Sequence, residues 1–426
     1  MLLILVDTLR QDHLGCYGWW RNTSPKIDAL AAKSIRFDRA YSTAPWTLPS
    51  VASVLTGLYP SSHGAVQLRT ALPSTALTLA EILRARGYAT AGVVSHSILT
   101  ARWGFHQGYD TYLDTEARGH DYVSTPGVTT EAQSLVKQLA HRKRPFFLFV
   151  HYFDPHYEYK RHPEYGFAPP SAGRLRGNES IAKLREMRAD LSQEEIQFIQ
   201  DLYDEEIRFT DAGIGRLLAT LKREGVYDDT LIVFVADHGE EFMAHGWIGH
   251  TRTLYDELVK VPLIVHPPRY RGGGRVVKEP VSLVSLTPTI LDITGVDTEG
   301  LSFQGDSLAP LIAGGAENGH SIVFSEVDFI PLVGVYEEKL THKKAITTKE
   351  FQLVRDQITG KEELYNLAAD PAEQRDLAAS RPRLLKALRG DLDSAIALAR
   401  GRSADVDEME LTNEEVEKLR SLGYVH

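Results

Sequence analysis

Three features of the sequence predict an α/β protein. Strand patterns recur at 2–6, 146–152, 230–236 and 260–266, and the continuous apolar run at 2–6 reads as a strand covered on both faces, because a strand with one wet face would alternate instead. Amphipathic helical patterns separate these runs. Beyond residue 322 the texture changes to short alternating strands followed by helices, an α+β pattern. The expected organisation is one large α/β unit over 1–320 and a smaller unit over 321–426 with a small antiparallel sheet and helices. No internal repeat is present.

Composition narrows the function classes. The chain has 426 residues, 43% hydrophobic and 24% charged, with a formal net charge of −10, which fits a folded globular chain without disorder bias. An acidic balance with no dense Lys/Arg run argues against a nucleic-acid partner. No apolar run approaches the roughly 20 residues of a membrane span. Cys16 is the only cysteine, so no intramolecular disulfide informs the redox compartment. Met1 opens directly into a core strand without a leader pattern. A start inside a longer precursor is therefore an open expectation, and with it a periplasmic or secreted origin; compartment and oligomeric state are otherwise unread.

The strand at 2–6 closes on Asp7, where ligands of open α/β sheets collect; Asp7 reads either as a ligand-facing carboxylate or as a turn former. Residues 23–31 start a helix. The stretch 44–64 holds a short apolar helix with Thr47 at a cap position, Pro49 in the first turn, Leu48, Val51, Val54 and Leu55 facing inward, and Gly57 as the stop. The Thr47 hydroxyl can cap the helix, worth about 1 kcal/mol, or face an anion bound at the helix N-terminus. A helix at 76–86 and a strand at 88–95 follow, then a helix at 129–141. The run at 146–152 leads into Asp154 and His156. Residues 157–192 read as an irregular insertion shaping access. The 193–224 stretch is a long helix whose acidic residues are expected on a solvated face.

The run at 230–236 ends in D-H-G-E-E. Adjacent Asp237 and His238 at a strand end can point at one cation if the chain turns sharply, which Gly239 permits; the alternative is a turn aspartate beside a core histidine. His245 and His250 follow in a glycine-broken loop. A helix opened by Thr287 and Pro288 is expected within 281–294. Further strands are expected near 321–325, 333–337, 343–348 and 350–355, and helices at 382–399 and 412–422.

Taken together, V-D-T-L-R-Q-D-H-L-G-C-Y-G (6–18), T-L-P-S-V-A-S-V-L-T-G-L-Y-P-S-S-H-G (47–64), H-Y-F-D-P-H-Y-E-Y (151–159), D-H-G-E-E-F-M-A-H-G-W-I-G-H (237–250) and E-L-Y-N-L-A-A-D-P-A-E (363–373) resemble the sulfatase branch of the alkaline-phosphatase-like superfamily over nearly the whole chain. The resemblance implies a large mixed central sheet flanked by helices on both faces. It implies Asp7, Asp237 and His238 as ligands of one divalent cation, with Thr47 at the nucleophile position touching the same metal. It places His156 and His250 where relatives carry groups that bind the other substrate oxygens or protonate the leaving group; His245 is counted with them as a substrate contact.

Two departures bear on the chemistry. The family's Cys or Ser, followed by x-P-x-R and oxidised to formylglycine, is here Thr47, with Pro49 and Val51. Threonine does not become that aldehyde by the usual route, and a threonine sulfate lacks the second oxygen that expels sulfate. A phosphothreonine can instead be resolved by water or an alcohol. Thr8 stands where many sulfatases carry a second aspartate, which leaves a less oxygen-rich site suited to Zn²⁺ or Mn²⁺ as well as Ca²⁺. The expected protein is thus a one-metal hydrolase of a small anionic ester, leaning to phosphoester, phosphodiester or phosphonate. The alternatives are a sulfuric ester hydrolase of the arylsulfatase type without formylglycine, a phospho-headgroup transferase, or a binding homologue without turnover.

Overall fold

The computed structural model describes residues 1–119, 122–315, 322–331, 340–401, 406 and 408–424. Its main sheet contains β1 (Leu2–Val6), β2 (Ile35–Tyr41), β3 (Ala89–Val93), β4 (Thr111–Leu113), β5 (Phe146–Tyr152) and β6 (Ile232–Ala236). A small hairpin, β7 (Glu241–Phe242) with β8 (Ile248–Gly249), follows before β9 (Lys260–His266), β10 (Arg275–Val277) and β11 (Val281–Ser282). The order is β10-β2-β9-β6-β1-β5-β3-β4, with β11 also on β2. β9 runs antiparallel to both β2 and β6, and the remaining pairings are parallel. The sheet is therefore mixed and flanked by helices. β1 sits between β5 and β6, buried along its whole length, which is why its sequence is apolar at every position.

β2 was not legible as a strand. Its sequence, I-R-F-D-R-A-Y, carries Arg36, Asp38 and Arg39 at half-buried positions that interrupt the apolar run. The helix expected at 129–141 spans Thr125–Ala140, with a proline in its first turn. The insertion is largely irregular but contains a helix, Ile181–Met187. Thr287 opens no helix: it lies inside Leu286–Ile293, and its hydroxyl donates to the Val54 carbonyl at 2.8 Å, fastening that helix to Thr47–Thr56.

The helix Gln193–Arg223 corrects the solvated-face expectation. Asp204, Glu205 and Asp211 on it are fully buried. Each has partners that offset desolvation. Asp204 meets His13 Nδ1 at 2.7 Å, Trp19 Nε1 at 3.1 Å and Arg21 at 2.9 Å. Glu205 accepts from the His162, Phe167 and Ala168 amides, anchoring the insertion. Asp211 accepts from the Lys26 and Ile27 amides at the start of helix Pro25–Ala31.

The C-terminal strands β12 (Val323–Phe329), β13 (Thr341–Thr347), β14 (Phe351–Asp356) and β15 (Glu362–Asn366) form an antiparallel sheet in sequence order. The strand expected near 333–337 lies outside the described residues. One face of this sheet joins Tyr59, Val284 and the helix Pro382–Arg400 in a separate apolar cluster, through Phe324, Ile346, Leu353, Leu364, Leu388 and Leu392. Val323, Val327, Ala345 and Val354 join the main core instead. The last helix, Asn413–Ser421, brings Leu419, Leu422 and Tyr424 back into that main core.

Candidate active site and metal centre

Sheet register brings the first two carboxylates together. Val6 pairs with Ala236 across β1 and β6, so the next residues, Asp7 and Asp237, leave neighbouring strands side by side, at the roughly 4.8 Å spacing of adjacent strands. The Thr8 amide donates to Asp237 Oδ1 at 3.2 Å. Thr8 has a left-handed backbone, φ 51, an uncommon state for a β-branched residue. The Tyr203 hydroxyl, from the long helix, donates to the Thr8 carbonyl at 2.7 Å and holds this turn. Gly239 turns out to serve close approach, not a left-handed turn: a Cβ there would lie 2.0 Å from the Glu257 carbonyl oxygen.

Thr47 is not the cap the pattern suggested. The helix Thr47–Thr56 begins one residue earlier than read: Trp46 is the N-cap, with no side-chain cap hydrogen bond, and Thr47 is the first helical residue. Its hydroxyl lies 3.4 Å from Asp7 Oδ1 and 3.3 Å from His238 Nε2. Gly57, at φ 70, ends the helix as expected.

The donor set fits a cation. His238 Nδ1 lies 2.9 Å from the Gly239 carbonyl, which only accepts, so the proton sits on Nδ1 and the Nε2 lone pair points inward. That lone pair is 3.5 Å from Asp7 Oδ1 and 3.5 Å from Asp237 Oδ2. Asp7 Oδ2 and Asp237 Oδ2 are buried with no hydrogen-bond partner among the described residues. Acceptors thus face acceptors. The edges of a tetrahedral site with bonds of about 2.1 Å, or an octahedral one with bonds of about 2.3 Å, are about 3.3–3.4 Å, close to these separations. With protein groups alone, burial and then the Glu240 charge push the Asp7 carboxyl well above the usual range, and burial and then the Asp7 charge do the same to Asp237. Burial, then the nearby His250, hold His238 neutral. A divalent cation would offset the carboxylate repulsion and occupy the lone pairs.

His156 and His250 meet beside this cluster. Their rings are 5.0 Å apart, and the His250 ring is 4.5 Å from that of His238. His250 Nδ1 lies 3.0 Å from Glu240 Oε1, while Tyr159 donates to Glu240 Oε2 at 3.1 Å. Burial pushes Glu240 up to about 8 and, followed by the Arg185 charge, pushes His250 well below its usual value. The His250 imidazole and the Glu240 carboxyl thus face each other as one proton-holding pair.

His245 does not join them. The β7–β8 hairpin puts it at the tip, while His250 follows the returning strand. The His245 ring stacks on Tyr255 at 3.8 Å, its Nδ1 meets Glu257 at 2.8 Å, and its Nε2 lies 3.2 Å from the Glu373 carbonyl. Glu241, His245 and Glu257 could also surround an ion by distance, but both ring nitrogens face acceptors, the arrangement of a charged imidazolium. Burial lowers its pKa, and the Glu257 hydrogen bond and charge outweigh that, for a net rise. The stabilising contribution is therefore full below the unfolded value of about 6.5 and is lost as pH rises through the higher folded value. The melting temperature of wild type over His245→Gln should be clearly higher at pH 5.5, with a smaller gap at pH 8.5; a pH-independent gap contradicts the charged clamp.

Residues not singled out from the sequence also line the site. His151 is fully buried on β5, with Nε2 3.5 Å from Asp7 Oδ2, and burial pushes it down to about 4. His96, just past β3, has its ring 5.5 Å from His156 and 6.4 Å from His151. Both lie near ends of core strands, the one signal that could have flagged them. The cavity beside the helix start, about 390 Å³, is bounded by Trp46, Pro49, Ser61, Glu326 and Lys344 and not by the four cluster residues.

The family model described as Sulfatase matches residues 1–296, and that described as N-sulphoglucosamine sulphohydrolase, C-terminal, matches 243–396. The ulvan-active sulfatase of Formosa agariphila is 27% identical, over 93% of this chain and 80% of its own length. Among solved structures, a putative sulfatase from Bacteroides thetaiotaomicron superposes with a TM-score of 0.77 at 22% identity, over 96% of this chain and 94% of that one. A phosphonate monoester hydrolase of Agrobacterium radiobacter gives 0.75 at 23% identity, over 97% and 98%.

Proposed function

The chain belongs to the sulfatase family and is an ester hydrolase, and on that premise we propose that it cleaves phosphate-type esters, phosphodiesters or phosphonate monoesters, through a covalent adduct on Thr47. The observation that carries this reading is the Thr47 hydroxyl: at a helix start, without a capping role, and beside Asp7 and His238. Asp7, Thr47, Asp237 and His238 would hold one divalent cation, Zn²⁺, Mn²⁺ or Ca²⁺. When bound, it lowers the pKa of the nucleophilic oxygen and neutralises charge on the transferring group. Two carboxylates, one imidazole and one hydroxyl suit all three ions.

Thr47 Oγ1, its hydroxyl proton released to solvent, attacks phosphorus and the bond to the leaving oxygen breaks. His250, backed by Glu240, gives a proton to that oxygen, while His156 binds another substrate oxygen. Water then attacks the phosphothreonine, giving one proton back to His250, and the Thr47 oxygen departs ready for the next attack. The free N–H groups of the first helical turn favour an anion at this end. Residues 1–320 form the catalytic unit in this proposal and 321–426 the C-terminal unit, a division supported by the separate sheet and second apolar cluster. The substrate is a small anionic ester, and no described helix is long and apolar enough to cross a membrane.

The test is a panel of aryl sulfate, phosphate monoester, phosphodiester and phosphonate monoester, each with Ca²⁺, Mn²⁺ and Zn²⁺. The expected kcat/KM is highest for a phosphodiester or phosphonate. Preference for aryl sulfate overturns the substrate assignment, and exclusive transfer to an added alcohol identifies a transferase. No turnover with any ion returns the protein to a binding role.

A further inference from the structure

Residues 422–424 are built into the site. After the helix Asn413–Ser421, the Leu422 carbonyl accepts from the Tyr157 hydroxyl at 2.9 Å, and the Gly423 carbonyl accepts from Arg185 Nη1 at 2.9 Å. Gly423 has φ 68, and a Cβ there would lie 2.9 Å from Ile181. These contacts turn the chain so that Tyr424, 1% exposed, enters the main core. Its ring lies 6.0 Å from Trp46, 6.3 Å from Phe329 and 6.0 Å from His250. Its hydroxyl is 3.4 Å from His250 Nε2, and its ring lies against Trp46, the residue before Thr47.

We propose that Tyr424 is a catalytic residue whose hydroxyl donates a hydrogen bond to a peripheral oxygen of the group transferred to Thr47. This rests on the reading of Thr47 as nucleophile. A phenol carries its proton at neutral pH and so offers an O–H donor. The transferred group presents several charged oxygens, of which the cation takes one. The others need donors, and a buried, fixed donor beside His250 and Trp46 stabilises charge that develops there without reorganising. The long contact to His250 is one that a substrate oxygen between the two groups would replace. Completing the site from residue 424 also means that the C-terminal unit contributes directly to chemistry.

The experiment compares wild type, Tyr424→Phe and Thr47→Val on one aryl phosphodiester, with kcat, KM, melting temperature and mass of the protein after rapid quench. Tyr424→Phe keeps the ring packing against Trp46 and Phe329 and removes only the hydroxyl. The expected result is a fall in kcat of about 10²-fold or more, KM and melting temperature nearly unchanged, and covalent adduct forming on Thr47 more slowly. Wild-type kcat in Tyr424→Phe, with Thr47→Val inactive, overturns the role of Tyr424 and leaves Thr47 standing. Wild-type turnover in Thr47→Val overturns the Thr47 reading, and the Tyr424 proposal with it. A kcat loss matched by a large fall in melting temperature makes Tyr424 a packing residue and also overturns the proposal.

Discussion

Thr47→Val is expected to abolish turnover, by about 10⁴-fold or more, while leaving the protein folded. Losses of that size follow removal of a nucleophile, the rest of the site retaining only binding and electrostatic stabilisation. Valine matches the shape of threonine, so the fully buried first turn of the helix keeps its packing. The hydroxyl makes no cap bond there, and the stability cost of a lost cap does not arise. Its neighbours, Asp7 Oδ1 and His238 Nε2, are both acceptors turned toward the cation position. Thr47→Ser, which restores an oxygen on a smaller side chain, should recover measurable activity. Kinetics of Thr47→Val within tenfold of wild type, on the best substrate of the panel, would return Thr47 to a structural role.

Asp237→Asn is expected to reduce bound metal from one ion per chain to none at micromolar concentrations and to remove activity with it. Asparagine keeps the shape but offers a neutral oxygen in place of a charged one, so the attraction holding a divalent ion falls and the imidazole lone pair of His238 loses its partner. A readout independent of catalysis is available. Ligands that bind only the native state raise its stability, so adding the preferred ion to metal-stripped wild type should raise the melting temperature, and adding it to Asp237→Asn should not. Metal analysis of both proteins gives the stoichiometry directly. An unchanged metal content and an unchanged thermal response in Asp237→Asn would exclude Asp237 as a ligand.

What could be read in advance follows from where the information lies. β1 and β6 are buried on both faces, so their sequences carry nothing but apolar residues, and the polar residues closing them, Asp7 and Asp237, stand out. β2 was missed because Arg36, Asp38 and Arg39 break its pattern. The acids of helix Gln193–Arg223 were misjudged because a helical wheel shows which residues are polar but not which are paired. Asp204 is buried only because His13, Trp19 and Arg21 reach it from distant parts of the chain. The one-residue error at Thr47 arose because threonine is a good cap and Trp46, the actual N-cap, is a poor one.

The site divides in the same way. Residues next to a turn or strand end were legible; those placed by register or by long-range return were not. His151 reaches Asp7 because Leu5 pairs with His151 in the sheet, and residues 5 and 7 share a face. His245 and His250 sit in one loop by sequence, yet a two-residue ladder between β7 and β8 separates them. Tyr424 reaches Trp46 and His250 from far along the chain, held by Arg185 and Tyr157, and no local pattern announces it.

The most direct test of the central claim is rapid-quench mass spectrometry of the metal-loaded wild-type enzyme during turnover of its best phosphate-type ester, with peptide mapping of any covalent adduct. The expected result is a phosphoryl or phosphonyl group on the peptide containing Thr47, formed in the first turnover, absent from Thr47→Val and lost as product accumulates. Full turnover with no adduct on that peptide at any time, and undiminished activity in Thr47→Val, would contradict a threonine nucleophile.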